Sequence, residues 1–233
     1  MEANLDVTVT AARPIIGHSC PAAPPCSGGR RLYHRVCVAV RVLPVAADDA
    51  EVHEAAVKVI LRGFFPREAY CVACGVDADA EAQRQLLALV RATLAEGASV
   101  AAYDGDLMVG VAVNKVQVKP VPGQASDFER FAQEEATALA SHSLVAFMCH
   151  IDGMADLFAE AGGEPIVELM FLGVLPEAGG RGVGRQLTAR TVEVARGRGA
   201  HGVSAIWTTE YTRAIGRRLG FTVRNRNFER AFA

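Results

Sequence analysis

Residues 166–200 constrain this chain more than any other stretch. Ile166–Val174 is apolar at every position but Glu168. Such a run predicts a strand buried on both faces, inside a sheet with parallel neighbours. Val183, Leu187, Thr191, Val194 and Ala195 then recur at the spacing of one helix face. Between the two lies a turn containing Gly179, Gly180, Gly182 and Gly184. Without side chains, its backbone amides can close on a ligand unobstructed. They sit at a helix start, where first-turn N–H groups lack helical partners and the dipole is positive. A strand, a glycine turn and a helix N-terminus make an anion site, most often for phosphate. Arg181 and Arg185 add positive charge. A tight turn with no ligand is the plainer reading. A Rossmann dinucleotide site would need several more strand–helix units, and residues 185–233 are too few for them.

Composition narrows the field. The chain has 233 residues, 51% hydrophobic and 21% charged, which suits one well-cored domain plus a tail. A net charge of -2 gives no support to nucleic acid or anionic membrane as a partner. No apolar run approaches the ~20 residues that cross a bilayer. The first residues, MEANLDVTVTAARP, have acidic positions and no apolar core, so no secretory signal is read there. A cytoplasmic protein with reduced cysteines is the expectation. Cys71 and Cys74 have the spacing of half a zinc site or a redox pair, but no second pair exists, so no metal is expected.

Along the chain, residues 1–33 hold Pro14, Pro21, Pro24, Pro25 and Gly28-Gly29 and read as an irregular leader. His34–Leu43 alternates as a first strand. Asp48 or Asp49 caps a helix with Val52, Ala56, Val59, Ile60 and Gly63 on one face, which Pro66 ends. Asp79–Glu96 is a second amphipathic helix. Asp104-Gly105 between two apolar runs predicts a hairpin, with Asn114 and Lys115 near its solvent end. Ser126 and Glu129 form a capping-box pattern that opens a helix through about Cys149. A strand over His201–Trp207, a helix over Tyr211–Leu219 and a closing hairpin of Phe221–Arg224 with Phe228–Phe232 complete the reading.

Gly182-Val183-Gly184, with Leu187 three residues on, resembles the second half of the acetyl-CoA signature of the GNAT acetyltransferase superfamily. Gly179 stands where that signature has Gln or Arg, leaving Arg181 to supply the charge. Arg217-Arg-Leu-Gly-Phe221 is similar to the superfamily's next block. Phe64-Phe-Pro-Arg-Glu68, Phe147–Phe158 and Thr208–Thr212 resemble the arthropod arylalkylamine (dopamine) N-acetyltransferases in particular, across residues 35–233. The resemblance implies an α/β fold: a GNAT domain over 34–233 with a twisted mixed sheet and helices on both faces.

It also implies a chemistry. Acetyl-CoA would lie against Leu172, Gly173, Val174, Gly179, Gly180, Arg181, Gly182, Val183, Gly184 and Arg185. Glu68 occupies the position of the family's general base. An alkylammonium has a pKa near ~10 and must lose a proton before it attacks a thioester. The Val174 amide would face the thioester oxygen. Thr208 and Thr212 match hydroxyls that serve the departing thiol, with Tyr211 as an alternative, since Gly216 stands where many superfamily members have tyrosine. Ala69 and Tyr70 replace the family's proline and leucine. The implied activity is direct N-acetylation of a small primary amine such as dopamine, serotonin or tryptamine, by a monomer. No Cys–His pairing supports an acyl-enzyme. His142, His150 and His201 are candidate bases, although a lone histidine beside apolar residues is usually packed. Two rival readings are an acetyltransferase of polyamines, amino acids or protein N-termini, and a CoA-binding module without turnover.

Overall fold

The computed structural model describes residues 8–12 and 40–225. Seven strands form one sheet: β1 (Thr8–Ala12), β2 (Arg41–Pro44), β3 (Val100–Asp104), β4 (Leu107–Gln117), β5 (Ile166–Val174), β6 (Gly202–Trp207) and β7 (Thr222–Asn225). Their order is β2-β3-β4-β5-β6-β1-β7. Among the described residues only β5 and β6 pair in parallel, so the sheet is mixed and β5 has one parallel neighbour, not two. The helices are α1 (Ala50–Gly63), α2 (Ala69–Ala73), α3 (Ala80–Leu94), α4 (Asp127–Glu134), α5 (Leu139–Asp152), α6 (Leu157–Ala161), α7 (Val183–Gly197) and α8 (Glu210–Arg218).

Local chemistry accounts for most boundaries. Asp49 caps α1 through a bond from the Val52 N–H at 3.0 Å, and Asp79 caps α3. Gly105, at φ 63°, makes the β3–β4 turn. Two cores form, one on each face of the sheet. Ile60, Leu86, Val90, Leu144 and Phe171 belong to the face covered by α1, α3 and α5. Val167, Leu169, Leu187 and Trp207 belong to the face covered by α7.

Three expectations need correction. Thr8–Ala12 lies within the segment read as an irregular leader, yet it pairs with both β6 and β7. Its β-branched residues Thr8, Val9 and Thr10 suit a strand, and the prolines begin only at Pro14. β7 accordingly pairs with β1; its expected hairpin partner, Phe228–Phe232, lies outside the described residues, as do residues 34–39 of the expected first strand. The helix expected from Ser126 to Cys149 is two helices. Gln85 of α3 holds the break: its Oε1 accepts from the Ala138 N–H (3.1 Å) and the Ser141 hydroxyl (2.6 Å), and its Nε2 donates to Thr137 Oγ1 (2.8 Å). Asn114 is fully buried, not near solvent; its Nδ2 donates to Ala98 O at 2.9 Å and to Thr191 Oγ1 at 3.0 Å, tying β4 to α7.

Two irregularities of β5 open and orient the space beside it. First, β4 and β5 slip register where Val113 pairs with Phe171 and Asn114 with Leu169, so Met170 is an extra residue. Such a bulge reverses which face successive side chains meet. Glu168 therefore shares a face with Phe171, while Leu169 and Leu172 share the other. Second, β5 pairs with β6 only over Ile166–Leu169 and Gly202–Ala205. Beyond that the two strands part.

Candidate active site

A cavity of about 450 Å³ fills the space where β5 and β6 part. Met170–Leu172 and Val174 border it from one strand, and Ile206–Thr208 from the other. The cavity reaches both regions singled out in the sequence. Glu68, Thr208 and Thr212 line it, together with Leu172, Val174, Gly179, Gly180, Val183 and Gly184. Gly173 does not, because its Cα faces α1; a Cβ there would fall 3.2 Å from Ile60 Cδ1. Arg181, Gly182 and Arg185 stand outside the lining.

The turn is built to leave amides open. Gly180 and Gly182 adopt φ of 72° and 75°, values that favour glycine. Gly182 is the N-cap of α7 and supplies no side chain to it. The first amide to close a bond inside the helix is that of Gln186, to Gly182 O at 3.1 Å. The amides of Val183, Gly184 and Arg185 thus precede the first helical bond. Gly179 differs: its N–H donates to Pro176 O at 3.1 Å, and a Cβ on it would lie 3.1 Å from that same oxygen. Arg181 is held by Asp104, Nη1 to Oδ2 at 2.5 Å, so its charge is shared with the β3–β4 turn. Arg185 is exposed.

Glu68 sits at the other end. It is the N-cap of α2, and its Oε2 accepts from the Cys71 N–H at 2.7 Å. Its Oε1 is buried without a hydrogen-bond partner, although the residue is only 8% exposed and borders the cavity. An unpaired buried carboxylate oxygen is costly unless a ligand meets it. Burial, then the Glu68 carboxylate, push the neighbouring Cys71 thiol well above the usual thiol range, so it stays protonated. Tyr70 stacks on Phe147 at 4.3 Å between ring centroids and fastens α2 to α5. Phe64 meets Phe171 edge-on at 5.3 Å, forming an aromatic wall beside Glu68.

Val174 stands between the two ends. The next amide, that of Leu175, donates to Val109 O on β4 at 2.9 Å. Successive strand amides point to opposite edges, so the Val174 N–H faces the gap between β5 and β6.

The hydroxyl candidates divide. Thr209 caps α8 in a capping box with Thr212, and Thr212 Oγ1 donates to Thr209 O at 3.0 Å. Thr212 is thereby committed to the helix while touching the cavity. Thr208 and Tyr211 also border the cavity, Tyr211 with 61% of its surface exposed. The absent tyrosine at Gly216 has a steric reason: a Cβ there would lie 2.8 Å from Trp207 Nε1. The histidines stand apart. His142 Nδ1 meets Ala132 O at 3.2 Å, His201 packs on Gly163, and His150 is exposed. Among the described residues no cluster of His, Cys, Asp or Glu could hold a metal, and no helix is long and apolar enough to cross a membrane.

Sequence reasoning misses Glu168. In sequence it is only the single break in an apolar run, yet it lines the cavity on the same face as Phe171. A lone carboxylate in a buried strand is the available signal, because such groups are rarely buried without a task.

Comparison with known proteins agrees with this architecture. No curated protein matches the chain. The fold is shared with arylalkylamine N-acetyltransferase 2 from Aedes aegypti at a TM-score of 0.70 and 18% identity, over 79% of this chain and 83% of that one. It is shared also with the Drosophila melanogaster polyamine N-acetyltransferase that forms N-acetylagmatine, at 0.66 and 19%, over 80% and 84%. The sequence model of the acetyltransferase (GNAT) family matches residues 67–221, which hold β5, the glycine turn and Glu68, and the chain belongs to that family.

Proposed function

We propose that this chain transfers the acetyl group of acetyl-CoA to a small primary amine, with Glu68 as general base. The observation that carries the reading is the unpartnered Glu68 Oε1 in the same cavity as the Val183 and Gly184 helix start. The glycine turn fits a diphosphate: its amides precede the first helical bond, and Gly180 and Gly182 hold φ values that a side chain would strain. Acetyl-CoA supplies a thioester when bound. The Val174 N–H donates to its oxygen as negative charge gathers there. Glu68 Oε1 accepts the proton of the ammonium, directly or through a water, and so frees the nitrogen to attack. Oε2, held by the Cys71 amide, keeps the carboxylate in place. Transfer is direct, since the protonated Cys71 thiol is a poor nucleophile. Thr208 or Tyr211, both bordering the cavity, would give the departing thiolate its proton.

The Phe64–Phe171 edge supports an arylalkylamine such as dopamine, serotonin or tryptamine. A polyamine is the second reading, favoured by Glu168 in the wall. Thiol release from acetyl-CoA should be assayed with dopamine, tryptamine, spermidine and a short peptide. Glu68→Gln preserves a cap for α2 and removes the base. It should lower kcat/KM at neutral pH by about 10²–10⁴-fold and recover as the amine deprotonates itself at high pH. Full activity in that variant removes the base from the mechanism; no release with any amine favours a CoA-binding module.

A further inference from the structure

The parting of β5 and β6 opens a passage through the sheet, and its two sides are lined differently. Phe64, Cys71 and Phe171 stand on the side of α1, α3 and α5, beside Glu68. Leu172, Val174, Val183 and Trp207 stand on the side of α7. Trp207 is the sole tryptophan of the chain. It follows just after Ala205, whose pairing with Leu169 is the last between the two strands. It therefore stands at the deep end of the passage, whereas Val174 and the α7 start stand at its mouth. The indole cannot turn aside. It is 2% exposed and meets Phe221 edge-on at 5.6 Å. On α8 it abuts the backbone of Gly216: a Cβ there would fall 2.8 Å from Nε1 and 3.1 Å from Cε2. The way in from the turn is also tight. A Cβ on Gly184 would fall 3.3 Å from Ile215 Cδ1 and 3.7 Å from Leu172 Cδ2. A thiol arm running from the α7 start past Val174 travels a narrow apolar channel that ends on Trp207.

We infer that Trp207 sets the length of the transferred acyl group, ending the channel so that acetyl fits and chains several carbons longer do not. The inference rests on the reading of the glycine turn as an acyl-CoA site. With the thioester oxygen on the Val174 N–H, a longer chain has two ways to go. Toward the indole, it meets a ring held on two sides in a close-packed interior, where added methylenes cost strain. Across the sheet, it takes the space the amine needs. Gly216 and Trp207 act as a pair, because only a residue without a side chain leaves the indole in this position.

The lone tryptophan is its own probe. Acetyl-CoA should change its emission on binding, whereas 3′-phospho-ADP, the cofactor without its thiol arm, should bind and leave the emission unchanged. Thiol release should then be compared across acetyl-, butyryl- and hexanoyl-CoA with whichever amine is turned over. In the wild type, kcat/KM for hexanoyl-CoA should lie at least about tenfold below that for acetyl-CoA, the scale on which a filled apolar pocket rejects added methylenes. Trp207→Phe should raise the hexanoyl-to-acetyl ratio about tenfold. Both substrates are read in one sample, so the ratio does not depend on how much of a variant is folded. Gly216→Ala, which pushes the indole into the channel, should lower the ratio of butyryl to acetyl turnover. Equal use of hexanoyl- and acetyl-CoA by the wild type overturns the inference, as does a ratio that Trp207→Phe leaves unchanged. So does an emission that acetyl-CoA leaves untouched although calorimetry shows it bound. These failures remove the role of Trp207 alone. Absence of CoA binding, or of thiol release with every amine, removes the acyl-transfer reading and this inference with it.

Discussion

Gly63, the last residue of α1, rests on the backbone of Val174: a Cβ on Gly63 would fall 2.6 Å from the Val174 carbonyl oxygen and 3.1 Å from its amide nitrogen. Backbone cannot rotate aside as a side chain can. Any other residue at position 63 must push β5 into the gap or lift α1 off the sheet. The amide proposed to meet the thioester oxygen is the group displaced. Gly63→Ala should cut kcat by at least about tenfold, since misplacing a donor by an ångström is felt strongly in rate. Gly197→Ala is the control, because nothing lies within 4 Å of the added carbon. Equal turnover in Gly63→Ala and wild type would show that the Val174 amide has no part in the rate.

Cofactor affinity should depend on backbone at Gly182 more than on charge at Arg181. Gly182 holds φ 75° at the helix start, a conformation that costs other residues about 1 kcal/mol or more. Gly182→Ala should weaken CoA binding about tenfold by calorimetry. Arg181 already answers Asp104, with 25% and 32% of the two side chains exposed. Arg181→Gln should therefore cost only a few-fold, and that loss should shrink in high salt. A larger loss from Arg181→Gln than from Gly182→Ala would reverse this order.

The α8 cap should be separable from catalysis. Thr209 Oγ1 accepts from the Thr212 N–H at 3.2 Å, and the two hydroxyls lie 2.9 Å apart. Losing such a cap costs about 1 kcal/mol. Thr209→Ala should lower the melting temperature by several degrees and leave the pH dependence of kcat alone. Thr208→Ala, with no cap to lose, should keep the melting temperature; a slowed release of thiol in it would assign the proton donor. If both variants behave alike in rate and melting, the division between them is wrong.

How far the sequence reaches is plain from particular residues. β5 is legible with its true bounds, because Pro176 and the glycines punctuate the end of an apolar run. Asp49, Asp79 and Ser126 announce their helices because capping is a contact within a few residues. The break between α4 and α5 is not legible: it depends on Gln85, some fifty positions away in sequence, bonding Ala138 and Ser141. Asn114 looks like a polar strand end, and only the packing of α7 gives it Thr191. Glu68 stands out through its neighbours Phe64 and Phe65, whereas Glu168 is aimed at the cavity by a bulge that leaves no mark in composition. Chemistry held in local spacing is readable; chemistry created by register is not.

Glu168 should also make the protein less stable as pH rises. Burial first, then the Asp152 carboxylate, push its pKa well above the usual carboxylate range, while the Gln117 amide and Lys115 pull it back. Asp152 is pushed up in turn by burial and by Glu129. Burial first, then the charges of Glu129, Asp152 and Glu168, push the Cys149 thiol of α5 up to about 11, so it stays protonated across the range of interest. A raised folded pKa means the folded state holds protons that the unfolded chain has released. Stability is then complete below the ordinary carboxylate value of ~4 and declines as pH climbs through the raised one. Carboxylates with lowered values, such as Glu81 beside Arg84 at about 2, contribute the opposite slope, but theirs is finished before this window opens. The melting temperature should fall between about pH 5 and about pH 8. Glu168→Gln should flatten that fall. An identical slope in Glu168→Gln would mean that the carboxyl titrates elsewhere, as an ordinary solvated group.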